Sequence, residues 1–304
     1  MVIWRIPRSR PHVVICIQPT LFSAPAAVVA AKIVGARRIL HVQDLEIDAA
    51  FSVGHLRGYW LQKLTIAFER FILRRFKLVV TISARMKQKL MAKGVPSSSV
   101  TVLRNWMDTS KIKRIDGPNY FREQLGIAPK AFVVLYSGQI GPKQALHLQL
   151  EAALKCGYET DIHFVVAGDG PTKKSLVETY GRAPNIHFLP VQPEEKLCEL
   201  LNLANLHVLT QDRNAADLVL PSKLGGMLAS GRLVLVTADP GTELYDLLYG
   251  TAIIVPTGDA QSLADAIKSV STQRLNRPAE TARLLELFSS QTILPAFHRA
   301  IRGI

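Results

Sequence analysis

The chain has 304 residues, 48% of them hydrophobic, which is enough to bury two cores, and its length suggests two domains. Residues 1–150 carry 23 Lys and Arg against 7 Asp and Glu, while residues 151–304 carry 14 against 17, so the net charge of +13 divides into +16 and −3. A basic half calls for an anionic partner: a membrane surface, a nucleic acid or an anionic substrate. The three cysteines, Cys16, Cys156 and Cys198, have neither metal nor redox spacing and read as reduced core residues of a cytosolic protein. No apolar run approaches the length of a membrane span.

The chain opens with Arg5, Arg8 and Arg10 ahead of VVICI, a basic-then-apolar order that superficially matches a secretion signal. Gln18 and Pro19 interrupt the run and its residues are β-branched, so a buried strand is the better reading. Strands are expected at 12–17, 38–42, 78–82 and 100–103, and helices at 23–34, 57–76 and 84–93. The stretch 57–77 is amphipathic: Trp60, Leu64, Phe68, Phe71 and Ile72 recur at helical spacing, with Lys63, Arg70, Arg74 and Lys77 on another face. Such a stripe either faces a core or meets an anionic membrane.

Gly117-Pro118-Asn119 marks a break. Beyond it the pattern becomes regular, with strands at 131–137, 162–167, 185–189, 206–210, 232–237 and 252–256. Helices alternate with them at 143–156, 172–180, 194–204, 222–230, 241–249 and 259–271, and 276–303 is again helical. Short apolar strands alternating with helices make a parallel sheet covered on both faces, here six-stranded and doubly wound. The division reads as domains at 1–117 and 118–290, with 291–304 a helix packing back on the first domain.

Four stretches carry candidate chemistry. Ser137-Gly138-Gln139-Ile140-Gly141-Pro142-Lys143 follows the first strand of the second domain, where Gly138 and Gly141 let backbone approach a ligand and Lys143 opens a helix. It lacks Walker spacing, and an ordinary strand-to-helix turn explains it as well. Gly168-Asp169-Gly170-Pro171 is a second tight turn at a strand end, where ligands of open parallel sheets bind, or is turn chemistry alone. Pro221-Ser222-Lys223 precedes a helix of small residues. Ser222 is expected to cap it, and Lys223, with Lys143, to meet a diphosphate. In the first domain His41-Val42-Gln43-Asp44 follows a strand; a histidine or carboxylate there suits a general base, or His41 is simply buried against a polar neighbour.

In this order the motifs resemble the family 4 glycosyltransferases with the GT-B fold. The resemblance rests on TISARMKQKL (81–90), VTVLRNWMDTSKI (100–112), YSGQIGPKQAL (136–146), AGDGP (167–171), PSKLGGMLASGR (221–232) and GDAQSLADAI (258–267). Within that family HVQDLEIDAAF (41–51) and PSKLGGMLASG are most similar to the colanic acid biosynthesis fucosyltransferases. The resemblance implies an α/β protein of two Rossmann-like domains. It also implies retaining transfer from a GDP- or UDP-linked sugar to a glycan or lipid-linked acceptor in exopolysaccharide or cell-envelope biosynthesis, without a metal or other cofactor. It carries the diphosphate role to Gly138, Gly141, Lys143, Ser222 and Lys223. The nucleotide and sugar fall near Gly168, Asp169, Val191, Pro221 and Gly226, and His41 and Asp44 become the catalytic candidates. The expected place of work is the cytoplasmic face of the plasma membrane, reached through the basic half and not through nucleic acid.

The sequence departs from the family in three respects. Gln139 stands where an arginine is common, and Leu218 and Gly226 stand where the family's E-x7-E motif has its acids, so ribose recognition must differ. The glycine-rich turn with which family members begin has no counterpart, so the N-terminal domain is expected to be incomplete, poorly stable and weak in catalysis. Two other readings remain open at this point: a nucleotide-binding protein without catalysis, and a basic nucleic-acid binder that lacks any stacking or recognition motif.

Overall fold

The computed structural model describes residues 10–18, 23–45, 47–48, 59–158, 161–216, 220–273 and 280–303. These form two compact units. One comprises residues 1–105, 217–220 and 291–304; the other comprises 106–216 and 221–290.

The first unit is a parallel sheet in the order β1 (Val13–Gln18), β2 (Arg37–Val42), β3 (Leu78–Thr81), β4 (Val100–Val102). Helix α1 (Ser23–Ile33) turns Ala24, Ala27, Ala30 and Ala31 inward, small residues that let its backbone lie close to the strands. Helix α2 (Tyr59–Leu73) and α3 (Ala84–Ala92) follow, the latter capped by Ser83, whose hydroxyl accepts from Met86 N at 3.1 Å. Lys93, just past α3, is buried and donates to Glu69 of α2 at 2.6 Å and to Asp48, a buried cation between two carboxylates.

Helix α2 does not bury the stripe read from its sequence. Ile72 and Leu73 are inside, but Trp60 is 75% and Leu64 69% exposed, with Phe68 and Phe71 also outward. Arg75 stacks on Phe71 at 4.2 Å, and Lys63 lies 5.7 Å from the Trp60 ring. On β1, Val14 and Cys16 are buried while Ile15 and Ile17 on the opposite face are exposed.

The second unit is a six-stranded parallel sheet. Its strands are β5 (Phe132–Ser137), β6 (Ile162–Ala167), β7 (Ile186–Leu189), β8 (Leu206–Leu209), β9 (Leu233–Thr237) and β10 (Ile253–Val255). The spatial order is β10-β9-β8-β5-β6-β7, a doubly wound sheet as the alternation predicts. The strands bury both faces. Val134, Tyr136, Phe164 and Val166 pack under α5 (Leu146–Cys156) and α10 (Ala260–Thr272). Val133, Leu135, Val165 and Ala167 pack against α4 (Tyr120–Gln124) and α7 (Leu197–Asn202). Helices α6 (Lys173–Tyr180), α8 (Leu224–Ala229), α9 (Glu243–Leu248) and α11 (Thr281–Glu286) complete the layers.

The last helix, α12 (Ser290–Arg302), lays Ile293, Ala296 and Phe297 on Ile39, Leu78 and Val80 of the first sheet. At the other junction, residues 106–117 belong with the second unit, so the division falls before Trp106 and not at Gly117. Met107 N donates to Phe288 O at 3.0 Å, Ile115 N to Asn202 Oδ1 at 2.8 Å, and Arg232 binds Asp116 at 3.1 Å.

Among the described residues the helix expected over 276–303 is two, α11 and α12, and two others depart from expectation at their starts. The 143–156 segment is a 3₁₀ turn at Pro142–Gln144 and then α5, separated by Ala145 at φ 46°. The helix after Pro221 starts at Leu224 and not at Lys223, and Ser222 is exposed and makes no side-chain cap. Lys223 takes the flanking position, with αR backbone and no side-chain cap. Leu218 lies outside the described residues.

Candidate active site

In a doubly wound sheet the loops after β5 and β8 leave toward opposite faces, which opens a crevice at the carboxyl ends of the strands. A cleft of about 440 Å³ lies there, entirely within the second unit. Its wall includes Ser137, Gly138 and Gln139 after β5, Gly168 and Asp169 after β6, Val191 and Gln192 after β7, Ser222, Lys223 and Gly226 at α8, and Met107. Size does not single it out. A cleft of about 800 Å³ runs along α2 and one of about 860 Å³ lies near Asn205 and Arg232, ahead of β8 and β9. Of the three, the smaller cleft is the one at the strand carboxyl ends.

The two glycine loops are interlocked. Gly138 N donates to Ala167 O at 2.9 Å, Ile140 N to Asp169 O at 2.8 Å, and Thr172 N and Oγ1 both reach Ile140 O at 3.2 Å. Gly168, at φ 147°, faces the Gly138 carbonyl so closely that any Cβ would collide with it. The glycine at 168 is therefore required by loop-on-loop packing. Lys173 braces the turn from behind, its ammonium donating to Gly168 O at 2.7 Å and Leu189 O at 3.2 Å.

Lys223 is the cation of the cleft wall. Its Nζ is shielded from solvent, has no hydrogen-bond partner among the described residues and sits 3.6 Å from the centre of the Tyr136 ring. It also lies 3.0 Å from where a Cβ on Gly138 would be, so the glycine there makes room for the ammonium. Burial pushes the Lys223 pKa down to about 7. Tyr136 is fully buried on β5, its phenol pushed up by burial, and its hydroxyl donates to Gln139 O at 2.5 Å.

Gly226 lines the cleft without offering a side chain. A Cβ on it would lie 3.2 Å from Leu201 Cδ1 and 3.7 Å from Met107 Cε, and one on Gly225 3.1 Å from both Met107 Sδ and Phe288 Cβ. The paired glycines let α8 lie against Met107, Leu201 and Phe288, and that packing occupies the room an acid would need.

The cleft thus gathers Gly138, Gly168, Asp169, Val191, Ser222, Lys223 and Gly226. Gly141, Lys143 and Pro221 are not on its wall. Gly141 N donates to Gln144 Oε1 at 3.0 Å, and the Lys143 carbonyl accepts from Asp212 N at 2.9 Å. Tyr136, Met107 and Gln192 were not singled out in the sequence; only Tyr136, an aromatic two residues before a glycine loop, offered a signal. In the first unit His41 is buried on β2, 6.2 Å from the Phe297 ring of α12, with Nε2 unpartnered among the described residues and its pKa lowered by burial. Asp44 lies just beyond β2 and is half-buried.

Comparisons with known proteins agree with this architecture. Residues 119–284 match the model of glycosyl transferases group 1, and residues 2–106 match the glycosyl transferase 4-like domain. The chain is 33% identical to the putative colanic acid biosynthesis glycosyl transferase WcaI of Escherichia coli, over 97% of this chain and 75% of that protein. Its fold is similar to HepE of Anabaena, solved in complex with UDP, with TM-score 0.79 and 17% identity over 100% of this chain and 82% of that one. It is also similar to sucrose-phosphate synthase of Thermosynechococcus elongatus, with TM-score 0.73 and 14% identity over 99% and 78%. The chain belongs to the family 4 glycosyltransferases of GT-B fold.

Proposed function

We propose that this glycosyltransferase holds the nucleoside diphosphate of a sugar donor in the cleft at the carboxyl ends of the second sheet. It moves the sugar, with retention, to a hydroxyl of a glycan or lipid-linked acceptor. The observation that carries the reading is Lys223 on the cleft wall, a shielded ammonium without a hydrogen-bond partner among the described residues. Leaving of a nucleoside diphosphate builds negative charge on phosphate oxygens, and a cation already desolvated stabilises that charge more than one in water does. Because the cation is built into the chain, the reading calls for no metal cofactor. HepE, solved with UDP and with UDP-glucose, favours uridine as the base, whereas the colanic acid relative leaves a GDP-sugar as the second choice.

The acceptor side is assigned to the first unit, with His41 and Asp44 as the candidates for contact with the transferred sugar. That unit's exposed Trp60, Leu64, Phe68 and Phe71, flanked by Lys63, Arg70, Arg74 and Arg75, suit an anionic bilayer surface at the cytoplasmic side. No helix among the described residues is long and apolar enough to cross a membrane. The test is incubation with UDP-glucose, UDP-galactose and GDP-fucose, following release of UDP or GDP by ³¹P NMR. Release by the wild type that falls about 10²–10³-fold in Lys223→Met supports the reading. Nucleotide binding without release favours a binding protein that lacks catalysis, and neither binding nor release by folded protein overturns both.

A further inference from the structure

Lys223 raises a question that the nucleotide reading alone does not answer: what holds a desolvated amine in place before any phosphate arrives. Its Nζ has no hydrogen-bond acceptor among the described residues, and its stem runs past the bare α-carbon of Gly138, with Cε 3.2 Å from where a Cβ would be. The group it faces is the Tyr136 ring, at 3.6 Å. The same tyrosine donates its hydroxyl to the carbonyl of Gln139, in the loop that shares the cleft wall. One buried side chain therefore touches both the cation and the loop.

We propose that Tyr136 is the positioning residue of the donor site. Its ring face seats Lys223 at the cleft wall while the site is empty, and its hydroxyl fixes the 138–141 loop, so that the ammonium passes to the donor diphosphate without rebuilding the site. This rests on the nucleotide reading of the cleft. The ring quadrupole attracts a cation over its face, yet replaces only part of the hydration an ammonium has in water. The resting amine is accordingly easy to deprotonate, in line with a pKa near 7, and it takes one proton from solvent when the phosphate oxygens arrive. Tyr136 does not supply that proton, because burial pushes its phenol up and keeps it neutral.

Two measurements test this, and the first needs no ligand. In protein labelled with ¹³C at the lysine ε carbons, the Lys223 Hε signals, identified by their loss in Lys223→Arg, are expected upfield of the other lysines through the ring current of Tyr136. They should keep that shift in Tyr136→Phe and lose it in Tyr136→Leu. Lys223 signals that lie among the other lysines in the wild type overturn the proposal, whether or not the leucine variant folds.

The second measurement is calorimetric titration of UDP at pH 8 in HEPES and in Tris, which differ in ionisation enthalpy. Uptake of about 0.9 proton per UDP is expected for an amine of pKa about 7 that becomes fully protonated on binding. Tyr136→Phe should retain the uptake and bind UDP about 2- to 12-fold more weakly, the worth of one neutral hydrogen bond. UDP binding with no proton uptake overturns the protonation of Lys223 on binding, and undiminished UDP affinity in Tyr136→Phe overturns the positioning role of the Tyr136 hydroxyl. Shifted Lys223 signals in a protein that binds neither UDP nor GDP overturn the nucleotide reading while the contact with Tyr136 stands.

Discussion

Replacing Gly168 with alanine should cost the second unit far more than an ordinary glycine substitution at positive φ. Gly168 sits at φ 147° with the Gly138 carbonyl directly against its α-carbon. The backbone conformation alone is worth about 1–3 kcal/mol to a residue with a side chain. Relieving the collision must also part the two loops, which loses Gly138 N to Ala167 O at 2.9 Å and Ile140 N to Asp169 O at 2.8 Å, each worth about 1 kcal/mol. The expected total is about 4 kcal/mol, a fall of about 8–16 °C in the unfolding temperature of a unit this size. Gly250→Ala is the control. Its φ is 77° with nothing within 4 Å of the added Cβ, so it should cost about 1 kcal/mol, or about 2–4 °C. Scanning calorimetry of the two variants beside the wild type reads both. Equal, small shifts for Gly168→Ala and Gly250→Ala would refute the interlocked-loop account.

Three further outcomes follow from particular residues. Gly226→Glu restores an acid at the family's usual position, yet Leu201 and Met107 already fill the space; the variant should lose about 1–3 kcal/mol of stability and gain no UDP affinity by calorimetry. His207 is fully buried against Ser230 Oγ at 3.0 Å and its pKa is pushed down to about 3, so between pH 6.5 and 3 only the unfolded chain takes up this proton. Stability of the second unit should therefore fall with acid below pH 6.5, by up to about 1.4 kcal/mol per pH unit, and denaturant midpoints should show His207→Gln flattening that dependence. Replacing Trp60 and Phe71 together by serine should weaken co-sedimentation with anionic phosphatidylglycerol vesicles, and what binding remains should be salt-sensitive because Lys63, Arg70, Arg74 and Arg75 are kept; undiminished binding by the double variant would remove the apolar face of α2 from the membrane account.

Much of the second unit was legible in the chain. Six β-branched runs of strand length, separated by helical patterns, leave few alternatives to a doubly wound parallel sheet, while the strand order is seen only in the fold. Loop detail was less legible, because it depends on contacts between segments distant in sequence. Ala145 at φ 46° broke a helix that periodicity made continuous. The requirement for glycine at 168 comes from the Gly138 carbonyl, a partner that turn chemistry cannot reveal. Lys143 and Lys223 read as equivalent phosphate lysines, yet only Lys223 reaches the cleft wall, because its backbone precedes α8 where the stem passes Gly138. Tyr136 was only faintly legible: an aromatic two residues before a glycine loop hints at a role, but its ring contact with Lys223 appears only in the fold. The outward stripe of α2 could not be chosen from the pattern, since a core-facing helix and a surface-docking one share the same periodicity.

The most direct test of the account is a calorimetric titration of UDP into the wild type and into Lys223→Met, with circular dichroism confirming that both are folded. Loss of one charge-assisted contact is worth about 1.5–3 kcal/mol, so the variant should bind about 10- to 150-fold more weakly. Equal affinity in the two proteins, or no UDP binding by the folded wild type, would contradict the assignment of this cleft to a uridine diphosphate sugar.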